Sequence, residues 1–158
     1  MTCQAPERIE YEGEELMLYT EPLQAILPPT PKFGMNIGDS NDPYPFEVSS
    51  TALWRGYIGR WKIQDGRLCL IELQGRLVKG GDASISSIFP GHNGYVFADW
   101  FSGELMCPRG RVIGHVDGMY LNVFEEDLIL KVKSGIIIGK TIRKNEVPVE
   151  TDSDMDFE

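Results

Sequence analysis

The chain has 158 residues, 42% apolar and 25% charged, with 24 acidic against 15 basic side chains and a formal net charge of −9. That length supports one sizeable core, and the composition excludes a fully disordered chain, a collagen and a coiled coil. No apolar run approaches the roughly 20 residues of a membrane helix, and the net negative charge argues against a binder of nucleic-acid backbones.

The acids are unevenly placed. Residues 7–21 hold Glu7, Glu10, Glu12, Glu14, Glu15 and Glu21 against one base, Arg8; residues 150–158 hold Glu150, Asp152, Asp154, Asp156 and Glu158 and no base. Short acidic ends ordinarily serve as solvated, solubilising segments; the sharper reading is attraction of a basic partner. The three cysteines, Cys3, Cys69 and Cys107, are odd in number and form no CxxC, which argues against a disulfide framework or a zinc knuckle. The early acids replace the basic start and apolar stretch of a secretory signal, so the expected location is cytoplasmic.

In chain order, Glu12-Gly13 is the first hairpin-turn candidate. Residues 21–27 can make one or two helical turns, stopped by Pro28-Pro29. Half of the prolines fall in residues 28–50, an irregular loop that no central strand fits. Residues 57–63 and 67–73 predict a hairpin around Asp65-Gly66, with Ile63 opposite Leu68 and Trp61 opposite Leu70. Residues 95–101 predict a strand, and residues 104–113 another with a break at Pro108. Residues 128–133 and 136–142 predict a half-buried hairpin around Ser134-Gly135, with Ile137 opposite Val132. The expectation is an all-β single domain over residues 1–149, built as a sandwich or partly open barrel of antiparallel strands with at most one short helix. Residues 150–158 are expected to be an acidic disordered tail.

Two segments carry a resemblance: Arg55-Gly56-Tyr57-Ile58-Gly59-Arg60-Trp61-Lys62-Ile63-Gln64-Asp65-Gly66-Arg67-Leu68-Cys69-Leu70, and Val96-Phe97-Ala98-Asp99-Trp100-Phe101-Ser102-Gly103-Glu104-Leu105 followed by Pro108 and Gly110. Together the chain resembles a family of small bacterial β-rich proteins of unassigned function. The resemblance implies a bacterial cytoplasmic origin and a compact β fold; it supplies no catalytic motif and no cofactor. In size and acidity the chain also resembles, more loosely, bacterial toxin-immunity proteins.

The residues offer little catalytic chemistry. Alternation places Glu72 on the Trp61 face and Asp99 among Tyr95, Phe97 and Phe101, and two carboxylates in one β cavity could do acid–base work. Pairing with an arginine such as Arg55 or Arg60 is the competing role. His92 and His115 stand apart without metal-ligand spacing. Cys107, Cys69 and Ser102 lack a nucleophile signature, and no phosphate-binding glycine loop is present. Trp54 and Trp100 fall off the inward registers and are candidate partner-binding residues, as are Asp152, Asp154 and Asp156. The expectation is therefore a non-enzymatic protein-binding protein, an immunity protein whose partner is a basic toxin, with no cofactor, metal, nucleic acid or membrane. The alternative is a small hydrolase or small-molecule binder using Glu72 and Asp99.

Overall fold

Three tight turns organise the strands. Glu12-Gly13, Asp65-Gly66 and Ser134-Gly135 all have positive φ at both central positions (51° and 81°, 53° and 74°, 49° and 81°). That is the type I′ geometry, whose twist matches the right-handed twist of flanking strands. The computed structural model describes residues 4–92, 94–115 and 122–146.

The first turn joins β1 (Glu7–Tyr11) to β2 (Glu14–Leu18). The second joins β3 (Tyr57–Gln64) to β4 (Arg67–Gly75). A short β5 (Val96–Phe97) and a long β6 (Gly103–His115) follow, and the third turn joins β7 (Asn122–Lys133) to β8 (Ile136–Lys144). A 3₁₀ turn at Pro22–Ile26 and one helical turn, α1 (Ile85–Ile88), complete the regular structure. The strands form one sheet in the order β2-β1-β3-β4-β8-β7-β6, with β5 on β4.

The fold is all-β, as expected, and the single sheet removes the sandwich option. The sheet curls until its two ends meet. The Tyr19 N–H donates to the Met106 carbonyl at 2.8 Å, and the Thr20 hydroxyl bridges Glu104 O and Met106 N at 3.0 Å each. It is a partly open barrel, and its interior is one apolar cluster including Ile9, Trp61, Leu70, Leu105, Leu128 and Leu130. One expectation is corrected: the strands are not all antiparallel, because β1 pairs β3 in parallel, Ile9 opposite Trp61.

The hairpin registers match the sequence pattern at Ile63↔Leu68, Trp61↔Leu70 and Val132↔Ile137. Beyond Trp61 a register shift sets Arg60 opposite Glu72, with Ile71 the extra residue. The shift turns Glu72 out to solvent and brings Leu73 inward, the reverse of simple alternation. The expected strand over 95–101 is also shorter. After Phe97 the backbone turns, with Asp99 N–H bonded to Phe97 O and Phe101 N–H to Ala98 O, which leaves Tyr95 and Asp99 exposed. Pro108 does not break β6. It sits opposite Asp127, with β7 on one side of the strand, and a proline is tolerated where the other edge is not in the ladder.

Among the described residues no helix is long and apolar enough to cross a membrane.

Candidate functional site

The proline-rich loop is held down by two buried side-chain amides. Asn36 donates from Nδ2 to Phe46 O at 2.6 Å and accepts from Val48 N–H at 3.1 Å. Gln4 donates to Thr51 O and accepts from Trp54 N–H, both at 2.7 Å. Each amide stands in for a strand neighbour and satisfies backbone groups that the prolines leave without a ladder. Gly34 N–H adds a bond to Val48 O at 2.7 Å.

Pinning Asn36 inward turns its neighbours outward. Phe33, Met35 and Ile37 are 52%, 72% and 52% exposed, a run of alternating large apolar side chains on a fixed backbone. Beside this ledge lies a cleft of about 510 Å³, lined by Phe33, Val48 and Trp54 among apolar groups and by Gln4, Glu21 and Arg55 among polar ones.

Below the cleft is a buried ionic cluster. Arg55 and Glu7 are 3% and 0% exposed. Arg55 Nε and Nη2 donate to Glu7 Oε2 at 3.0 and 2.8 Å, and Gly59 N–H donates to the same oxygen at 2.8 Å. Trp61 Nε1–H donates to Oε1 at 2.9 Å. Arg55 Nη1 also lies 3.5 Å from Glu21. Burial pushes the Glu7 carboxyl above its usual range, against the opposing pull of Arg55 and of the Gly59 and Trp61 donors. Four N–H donors, two of them from the Arg55 guanidinium, leave no acceptor for a carboxyl proton, so the geometry satisfies the anion. The Tyr44 hydroxyl donates to the Arg55 carbonyl, and that of Tyr57 to Gln24 Oε1 at 3.2 Å. Burial raises both phenols well above their ordinary value.

The sequence candidates fall elsewhere. Glu72 is exposed and lies 3.8 Å from Arg60, the pairing weighed against catalysis; Asp99 is exposed on its turn and does not line the hollow that Glu72 lines with Ile71 and Leu73. Trp54 is half-buried in the cleft wall. Trp100 is half-buried as well, stacked on Phe89 at 5.3 Å, edge-on to Trp61, with its indole N–H given to Pro22 O. Burial pushes the Cys107 thiol up to about 12 and raises that of Cys69, so neither is a ready nucleophile at neutral pH. His92 is exposed on its turn. Cys3, Asp152, Asp154 and Asp156 lie outside the described residues, as does the side chain of His115.

Two features escaped the sequence reading. Glu7 was counted with the acidic surface, although Glu7, Ile9 and Tyr11 alternate with Arg8, Glu10 and Glu12, and that period places it inside. The ledge was hidden in the irregular loop, although apolar residues at 33, 35 and 37 already alternate there.

No protein-family model, curated protein or solved structure matches the chain.

Proposed function

We propose that this chain is a non-enzymatic protein-binding protein that seats its partner on the Phe33–Met35–Ile37 ledge and in the adjoining cleft. The carrying observation is the exposure of three large apolar side chains on a backbone locked by the buried Asn36 amide. Preorganised apolar side chains bind with little ordering cost, and solvated they gain nothing for the free protein. The same loop carries Asp39, Asp42 and Glu47 against Lys32, so the favoured partner is basic. A basic bacterial toxin, with this chain as its immunity protein, is the specific form of that reading. Trp54, at the cleft wall, is the aromatic anchor; Trp100 is engaged with Phe89 and Pro22 and does not line the cleft.

A photo-crosslinking residue at position 35, introduced into the protein in its source cells, tests the proposal. It should capture one basic protein. The triple variant Phe33→Ser, Met35→Ser, Ile37→Ser, carrying the crosslinker at position 32, should keep its melting temperature and lose the capture. Undiminished capture by the triple variant, or an acidic captured protein, rejects the reading.

A further inference from the structure

The cleft lies at the end where β1 and β3 begin, beside Glu7 and Arg55. At their other end the sheet is left unfinished. β8 meets β4 at one register pair, Arg67↔Ile136, flanked by bonds from Leu68 N–H to Gly135 O and from Ile137 N–H to Gly66 O. Arg67 is the first residue of β4, so β8 then runs on past the Asp65-Gly66 turn. Over residues 138–144 it pairs with β7 alone among the described residues, which leaves its other edge open. Ile138 and Ile142 on this stretch are 62% and 44% exposed. An open edge with exposed isoleucines is a template for another strand.

Proteins commonly guard such edges with charge, and this one carries Lys140, Arg143 and Lys144. Each of these cations is already engaged within its own chain. Lys144 meets Glu126 at 2.5 Å, Arg143 meets Asp127 at 2.6 Å, and Lys140 rests over the Tyr11 ring at 5.7 Å. No proline and no acid interrupts residues 136–144. The guard is therefore weaker than the number of cations suggests.

The edge is also complementary to itself. Antiparallel pairing about a two-fold axis at Thr141 sets Thr141 opposite Thr141 of the second copy. Lys140 then faces Ile142, Gly139 faces Arg143 and Ile138 faces Lys144. No cation stands directly opposite another, each isoleucine gains the aliphatic stem of a lysine, and a threonine pair is a favourable cross-strand neighbour. This register uses the whole free stretch and stops where β4 begins, so the barrel of each copy stands beyond the end of the other's β8. At the start of the free stretch is a hollow of about 410 Å³, lined by Tyr11, Ile63 and Ile137 and by the acids Glu12 and Asp65. Neither acid has an ion-pair partner among the described residues. Arg143 and Lys144 of the second copy arrive beside it.

We infer that this chain forms a two-fold dimer by antiparallel addition of β8 to β8, which continues β6-β7-β8 into a six-stranded sheet. An acidic strand from another protein is the poorer occupant, because Glu12 and Asp65 stand at the entrance to the edge. The cleft, at the opposite end of β1 and β3, stays free in both copies.

Sedimentation of the full chain across the micromolar range tests this and should show a monomer–dimer equilibrium. Ile142→Lys sets a lysine opposite Lys140 at both symmetric contacts and should weaken the dimer at least about tenfold. Ile142→Glu, the same loss of an isoleucine with the opposite charge, should leave the dimer intact. Asp65→Asn with Glu12→Gln removes both acids from the hollow and should weaken the dimer several-fold; asparagine suits the Asp65 turn position, so the fold is kept. Melting temperatures of diluted, monomeric samples serve as the folding control. Under oxidation Thr141→Cys should cross-link to its own copy, whereas Ile138→Cys, about 20 Å from its counterpart in this register, should not. A monomer throughout the range overturns the proposal. So does a dimer that Ile142→Lys leaves unchanged, or a disulfide that forms as readily at position 138 as at 141. Slow amide exchange over residues 138–144 in a monomeric sample also overturns it, because the occupant is then the chain itself.

Discussion

Two ionic clusters lie at different places in the barrel and use similar distances. Beneath the cleft, Arg55 meets Glu7 at 2.8 Å with both side chains sealed from water. At the rim, Arg109 and Lys144 meet Glu126 at 2.6 and 2.5 Å, and Arg143 meets Asp127 at 2.6 Å, with the cations in contact with solvent. The rim contacts are the shorter, yet they hold less of the fold. Water reaches the rim cations Lys144 and Arg143 and solvates them nearly as well as their partners do, although Glu126 and Asp127 are themselves largely covered. In the interior no water replaces a lost partner, so removing one member leaves the other's charge poorly compensated. The comparison teaches that burial, rather than distance, ranks these pairs.

The largest effect should come from Glu7→Gln. It keeps the shape and takes the buried anion from the Arg55 guanidinium, whose Nη1 still lies 3.5 Å from Glu21, at a cost of about 3–5 kcal/mol in urea unfolding. The double variant Glu7→Leu, Arg55→Met should recover much of that loss, because two apolar side chains carry no desolvation penalty. If Glu7→Gln unfolds at the parent's urea midpoint, the buried cluster is not what secures β1 against β3.

Gly59→Ala approaches the same cluster from the backbone. An added Cβ would sit 2.5 Å from Glu7 Oε1 and 2.9 Å from Trp61 Nε1. One methyl group therefore displaces the carboxylate or the indole, and about 1–3 kcal/mol of overpacking follows. Unchanged stability in this variant would show that the two side chains move apart freely.

The contrast between the two clusters also sorts what the sequence made legible. The three hairpins were readable because each rests on a local rule: a two-residue turn with a glycine and alternating flanks. Even the pairing of Trp61 with Leu70 followed from turn length. The Glu7–Arg55 pair was not readable in that way. It depends on a parallel contact between β1 and β3, about fifty residues apart, and no local pattern announces such a contact. Glu72 failed for a different reason, since one extra residue at Ile71 reverses the faces beyond it. The ledge depends on Asn36 turning inward, which the loop's composition alone does not decide.

Cys107 lies between the core and the rim, opposite Leu128 and two residues before Arg109. Its thiol is buried and pushed up to about 12, so it reacts when β6 and β7 separate. In a Cys3→Ser chain, a thiol reagent at mildly alkaline pH should find neither Cys69 nor Cys107 until denaturant is added. Arg109→Ala should leave that protection nearly intact if the rim pairs are as weak as their exposure implies. A many-fold faster reaction of Cys107 in Arg109→Ala would instead make the rim cluster a lock on the β6–β7 pair.

The smallest effect is the pH response of the rim. Lys144 and Arg109 hold the Glu126 carboxyl below its ordinary value of 4.5, and the Arg111 backbone N–H and side chain do the same for Glu125. A carboxyl held low in the folded state binds protons less readily there than in the unfolded chain. Its contribution is therefore complete above about 4.5 and disappears as pH falls through the lower folded-state value. Both carboxyls are only partly covered and their partners Arg111 and Lys144 are exposed, so the contribution is small and added salt reduces it. Urea midpoints at about pH 6 and about pH 3, compared between the parent and Glu125→Gln, Glu126→Gln, isolate it from the other carboxyls. The double variant should lose less stability on acidification than the parent, and the difference should shrink in molar salt. Parallel pH profiles would mean that the short rim distances contribute nothing to folding, and the ranking by burial would then be absolute rather than graded.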